Sequence, residues 1–170
     1  MQTFFNEEGY PLALRATYLA SILGSVGSHQ YQRYFGRRTD GSLIDVTDGG
    51  NFSCAVYVSS ILTLCYLTTG GVHTTVDETV RDVCESGWYP IALMDRREGS
   101  IILWDAAGVC SDGRKHRHIG FSIGYDEAIS NGPQSRVPQR HHVTFGTDDE
   151  GKPVRPIVAR YFHADLARDI

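Results

Sequence analysis

The apolar period of this sequence changes once, just after Gly87, and that change limits the possible folds more than any other feature. Before it, apolar residues recur at helical spacing. Residues 11–26 open with Pro11 at a first helical position and carry Leu12, Ala16, Leu19, Leu23 and Val26 on one face, with Gly24 and Gly27 fraying the end. A polar, glycine-rich stretch over 36–50 leads to a second helix from Cys54 to Leu67, with Ser53 or Asn51 as its cap and Gly70-Gly71 as its stop. A third helix is predicted over Val76–Glu85, after Thr74-Thr75 and before Gly87. Beyond Gly87 the runs are short and rich in β-branched or aromatic residues: Ser100–Asp105, Ile119–Gly124, Glu127–Ser130 and Ile157–Phe162. The link Gly124–Glu127 has hairpin length. Four prolines make 132–156 a looped region, with a strand at His142–Phe145. Helices first, then consecutive strands on short links, predict an α+β domain in which N-terminal helices pack on an antiparallel sheet.

Composition narrows the functional classes. A chain of 170 residues suits one domain, 1–170, and buries an ordinary core without disulfides or a structural metal. With 16 Lys and Arg against 20 Asp and Glu, the net charge of −4 argues against a general nucleic-acid binder, because the one basic cluster, Arg114–His118, is short. No long uncharged apolar run suggests a membrane span. The N-terminus lacks the basic residues and small-residue cleavage site of a secretory signal, so cytoplasmic synthesis is expected, with any release by another route. The four cysteines form no Cys-x-x-Cys pair, and reduced thiols are expected. His141-His142 with His116 or His163 lacks a carboxylate or Cys at ligand spacing, so neither a metal nor any other cofactor is expected.

Among the cysteines, Cys54 is the candidate nucleophile. With Ser53 as cap it becomes the first helical residue, where free backbone N–H groups and the helix dipole favour a thiolate. Cys54, Val58, Ile61 and Cys65 fall at i, i+4, i+7 and i+11, which turns the sulfur with the apolar stripe towards the sheet. A solitary cysteine is ordinarily a small buried hydrophobe, and Cys65, Cys84 and Cys110 are read that way. The candidate base is His118. It opens a strand in which Ile119, Phe121 and Ile123 share one face while His118, Gly120, Ser122 and Gly124 share the other. A helix lying over those glycines would bring the thiol to the imidazole, the minimum for an activated Cys/His pair.

These segments resemble the papain-like cysteine hydrolases of the NlpC/P60 and CHAP group. The resemblance is carried by Asn51-Phe-Ser-Cys54-Ala-Val-Tyr-Val, by Glu98-Gly-Ser-Ile-Ile-Leu-Trp-Asp105, and by His118-Ile-Gly-Phe-Ser-Ile-Gly followed by Glu127-Ala-Ile-Ser-Asn131. It covers a core of about residues 50–145, and it implies a papain-like arrangement of helix-borne Cys and sheet-borne His. By that resemblance Cys54 is the nucleophile, His118 the base and later the acid, and a residue near the end of the next strand orients the imidazole. Ser130 stands where the family often has a histidine. Asn131, one residue on and on the opposite face of an ideal strand, is chemically better suited, since its carbonyl can accept the imidazole Nδ1–H. Asn131 is therefore the expected orienter and Ser130 its alternative. The Cys54 backbone N–H is a ready oxyanion donor, a group whose loss typically costs roughly 2.7 to 4 kcal/mol. Trp104 and Asp105 end a strand near the expected cleft.

The implied activity is cleavage of an amide, in a peptide or peptidoglycan substrate, through a Cys54 acyl-enzyme. An acyltransferase or a protein-directed protease would use the same dyad. An inactive binding module of the same fold would hold Cys54 inert.

Overall fold

The computed structural model describes residues 12–108 and 112–168; Pro11 and Cys110 lie outside them. The chain is a mixed helix and sheet structure. Helices α1 (Leu14–Gly24), α2 (Cys54–Leu64) and α3 (Val76–Glu85) precede most of the sheet strands, and a small hairpin of β1 (Phe35–Arg37) and β2 (Leu43–Asp45) lies between α1 and α2. The main sheet contains β3 (Trp88–Ile91), β4 (Ile101–Trp104), β5 (His118–Ser122), β6 (Glu127–Asn131), β7 (Pro138–His142) and β8 (Ile157–His163). Its order is β3-β8-β4-β5-β6-β7, antiparallel throughout. None of the helices in the described residues is long and apolar enough to cross a membrane.

Two apolar layers cover the two faces of this sheet. The larger packs α1 and α2 on Ile101, Ile119, Phe121 and Ile129, with Tyr57 meeting Phe121 edge-on at 5.4 Å. The smaller gathers Ile102, Trp104, Ala128 and Val143, with Phe145 and Ile157 against them. Residues directly opposite in an antiparallel pair share a face, so Trp104 opposite His118 and Ile102 opposite Gly120 place His118 and Gly120 in the second layer.

Several local expectations change. The buried face of α1 is Tyr18 and Ile22, while Leu12, Leu23 and Val26 are exposed. Tyr18 takes over because its ring packs edge-on to Phe121 at 5.7 Å and its hydroxyl donates to Gly99 O at 3.0 Å, satisfying a polar tip that would otherwise be stranded. Helix α2 stops at Leu64, before the glycines, as Tyr66 enters the left-handed region. Strand β7 begins at Pro138, four residues earlier than expected, because a proline is tolerated as the first residue of an edge strand. Strand β3 carries no sequence signal of its own: it is four residues long, contains Pro90 and, among the described residues, pairs with β8 alone. Helix α3 has the expected bounds. Thr75 caps it by accepting from the Glu78 N–H and donating to the Glu78 carboxylate, a reciprocal cap. Cys84 is exposed rather than buried, unlike Cys65.

Candidate functional site

Helix α2 begins near the end of the sheet where β5 starts, and a cavity of about 430 Å³ opens there. Cys54 from the first turn of α2, His118 from the start of β5 and Arg155 from the segment between β7 and β8 all line it. Phe52 and the 112–117 segment form a wall. Phe52 meets the His116 ring edge-on at 5.4 Å, His116 Nε2 lies 2.7 Å from Asp112 Oδ2, and Arg117 pairs with Asp77 at the start of α3.

The thiol reaches this cavity by a different route from the one expected. Helix α2 packs against the Ile119 and Phe121 face, not over the glycines. Gly120 is covered instead by Trp104 and Ser130: a Cβ placed there would lie 3.1 Å from the Trp104 ring and 2.7 Å from Ser130 Cβ. The thiol and the imidazole therefore start from opposite faces of β5, and both line the cavity at its end. The backbone N–H of Ile119, one residue from His118, points at the Cys54 sulfur. No hydrogen bond joins the thiol to the imidazole.

What precedes Cys54 is fixed tightly. Ser53 stands at the cap position, yet its side chain makes no cap bond and donates to Gly50 O at 3.0 Å. Asn131 Nδ2 donates to the same carbonyl at 3.2 Å and to Ser53 Oγ. Asn131 thus ties β6 to the turn before α2 and does not contact His118, so the expected orienter is not the residue beside the imidazole. The reason is the strand's two-residue period: Asn131 points to the helix face and His118 to the other. Gly50, at φ +101°, is required in this turn because a Cβ would lie 2.8 Å from Arg136 O.

Ser130 is the residue that meets His118, with Oγ 2.8 Å from Nε2. Its other neighbour is His141 on β7, whose Nε2 lies 2.8 Å from the same oxygen. The His118 ring is buried between Trp104, at 5.4 Å, and Phe145, at 5.7 Å. With Nε2 engaged by Ser130, Nδ1 is the nitrogen left for a reacting group. The expected Nδ1–H contact to an orienter is replaced by an Nε2 contact.

Electrostatics favour a neutral pair. Burial pushes the Cys54 thiol up, and the N–H groups of Ile119, Ala55 and Cys54 with the Arg155 charge only partly offset it. The helix end therefore does not produce the thiolate expected from position alone. Burial, Arg155 and His141 together hold His118 well below the ordinary imidazole value. Such a pair can act by transferring the thiol proton to the imidazole as the sulfur attacks, rather than as a resting ion pair.

Arg155 and His141 carried no sequence signal for this site, since both lie in the proline-punctuated 132–156 region read mostly as loop. Arg155 donates to Ala107 O at 3.1 Å and spreads over the Phe145 ring, which carries its charge from a distant loop to the cavity. Trp104 is fully buried, with its indole N–H donated to Val143 O at 2.6 Å. The histidines weighed as metal ligands are engaged separately: His142 with Thr144, His163 with Ser86 O, and His116 with Asp112. No group of three or more His, Cys, Asp or Glu able to hold a metal occurs among the described residues. No protein-family model matches the chain, and no curated protein matches it.

Proposed function

We propose that this chain is a thiol-dependent amidase or peptidase with a papain-like core of the NlpC/P60 and CHAP kind. The observation that carries the reading is the convergence of Cys54, at the N-terminus of α2, and His118, at the start of β5, on one cavity. The motif resemblance around Cys54 and His118 supports a peptide substrate, with peptidoglycan peptide as the form that the resemblance implies.

In this reading a substrate carbonyl enters beside Cys54. The sulfur attacks the carbonyl carbon while its proton passes to His118 Nδ1, and the carbonyl oxygen becomes an oxyanion facing the N–H groups at the start of α2. The imidazolium is held by Ser130 Oγ at Nε2. It returns its proton to the departing amine as the C–N bond breaks, leaving a thioester on Cys54. Water then gives a proton to His118 and attacks the thioester, and the proton restores the thiol as the acid leaves.

A binding module of the same fold is the second reading, favoured by the upward push on the thiol. Hydrolysis of amide-containing peptides, including peptidoglycan fragments, by the wild type and by Cys54→Ala and His118→Ala separates the two. Loss of turnover on Cys54→Ala and a fall of roughly 10²–10⁴ on His118→Ala are expected. Hydrolysis that survives Cys54→Ala refutes the nucleophile. Because the thiol is neutral at rest, turnover and not alkylation at neutral pH decides between the two, and a wild type that hydrolyses none of these substrates supports the binding module.

A further inference from the structure

The contacts behind His118 form a chain in which each hydrogen has one permissible direction. It starts at the His142 carbonyl, which only accepts, so His141 Nδ1, 2.8 Å away, carries the hydrogen of that bond. In the neutral ring, His141 Nε2 is then a lone pair. Ser130 Oγ, 2.8 Å from it, donates its only hydrogen there. Having given that hydrogen, Ser130 Oγ can only accept from His118 Nε2, also at 2.8 Å. His118 is thereby the Nε2–H tautomer, and its Nδ1 is a lone pair.

We propose that His141, acting through Ser130, is a positioning residue that fixes His118 in the tautomer able to take a proton at Nδ1. The proposal rests on the reading of His118 as the base, and it adds a residue from a strand not adjacent to β5. The surrounding packing suits this role. The His141 ring lies stacked on Phe145 at 3.9 Å with planes 18° apart, and it meets Trp104 at 5.7 Å, so its orientation is held from two sides. The charged or titratable groups that bear on it are His118 from β5, His142 beside it on β7 and Arg155 from the β7–β8 segment. Burial comes first in holding His141 in its neutral form, and His142 and Arg155 add to it against the opposing bond to the His142 carbonyl. Neutrality is what the chain requires, because a protonated His141 would donate to Ser130 and free the hydroxyl to turn towards His118 Nε2.

The test is to read the protonation of each His118 ring nitrogen by nitrogen NMR of histidine-labelled protein at neutral pH, without substrate. The wild type is expected to show Nε2–H. His141→Phe keeps a flat ring between Phe145 and Trp104 but removes the acceptor, so Ser130 can donate to His118 Nε2 and the Nδ1–H form should gain population. Ser130→Ala, which breaks the chain at its middle, gives a second measurement should the first variant not fold. In a peptide-hydrolysis assay His141→Phe should lower kcat on the order of tenfold or more with little change in KM, and His141→Gln, whose amide oxygen accepts the same hydrogen, should restore most of it. An Nδ1–H tautomer in the wild type overturns the proposal, as does an unchanged tautomer in both variants. A tautomer change in a protein without hydrolytic activity would keep the relay and defeat the proposed function. Cys54-dependent hydrolysis with an unchanged tautomer would do the reverse.

Discussion

Replacing Gly120 by alanine tests the packing that brings the site together. The added methyl would lie 2.6 Å from Ile129 O, 2.7 Å from Ser130 Cβ and 3.1 Å from the Trp104 ring. The first obstacle is backbone of the neighbouring strand, which cannot rotate away as a side chain would, so β5 and β6 must spread or Trp104 must leave its place over Gly120. Gly120 has no left-handed φ, and the cost is therefore steric alone. Overpacking of this kind costs about 1–3 kcal/mol, and a backbone obstacle places it at the upper end. Reduced freedom of the unfolded chain returns about 0.4–1 kcal/mol, leaving a net loss of about 2 kcal/mol. For a chain of this length that is a fall of roughly 4–8 °C in Tm. Gly132→Ala is the control, since nothing lies within 4 Å of its Cβ position and its φ is ordinary. Urea denaturation of the three proteins at pH 7 measures the difference. Equal midpoints for wild type and Gly120→Ala would refute the account of Trp104 and Ser130 closing over Gly120.

Two further outcomes follow from the charges. Burial alone would raise the Asp82 carboxyl, yet bonds from His73, the Gly70 N–H and Ser86 hold it below its usual range. A depressed carboxylate contributes stability above its unfolded pKa, about 4, and loses it as pH falls through the folded value; the unfolding free energies of wild type and Asp82→Asn from urea titration should therefore differ at pH 7 by about 1–3 kcal/mol and converge as the carboxyl protonates in acid. A gap that stays constant through the acid limb would count against the assignment. At the cavity, the raised thiol and the lowered imidazole give a neutral pair, so the alkylation rate of Cys54 should climb only above about pH 9, the ordinary thiol value. Hydrolysis should hold down to pH values below 6.5, the ordinary imidazole value, because His118 stays an unprotonated base there. A flat, fast alkylation plateau between about pH 5 and 7 would instead reveal a thiolate–imidazolium pair and refute the neutral one.

The segments of this chain that were legible from sequence are those whose signal is local. The start of α2 at Cys54, the whole of α3 with its Thr75 and Glu78 cap, and the strands beginning near Ile101, His118, Glu127 and Ile157 follow from periodicity, caps and glycines within a few residues. The Cys54–Val58–Ile61–Cys65 stripe was also readable, because helical spacing determines which residues share a face. Pairings between distant strands were not. Whether β5 turns its glycine face or its Ile119 and Phe121 face to α2 depends on where two large aromatics find room: Tyr57 fills one side against Phe121, and Trp104 closes the other over Gly120. That choice sent Asn131 to the helix turn and left Ser130 beside His118. It also set His141, on an edge strand beginning with a proline, within reach of Ser130, and carried Arg155 to the cavity. Sequence determined which residues carry reactive atoms and which elements bear them; the side packing of the sheet decided which of those atoms meet, because burying the largest rings outweighs any preference that a single polar residue can express locally.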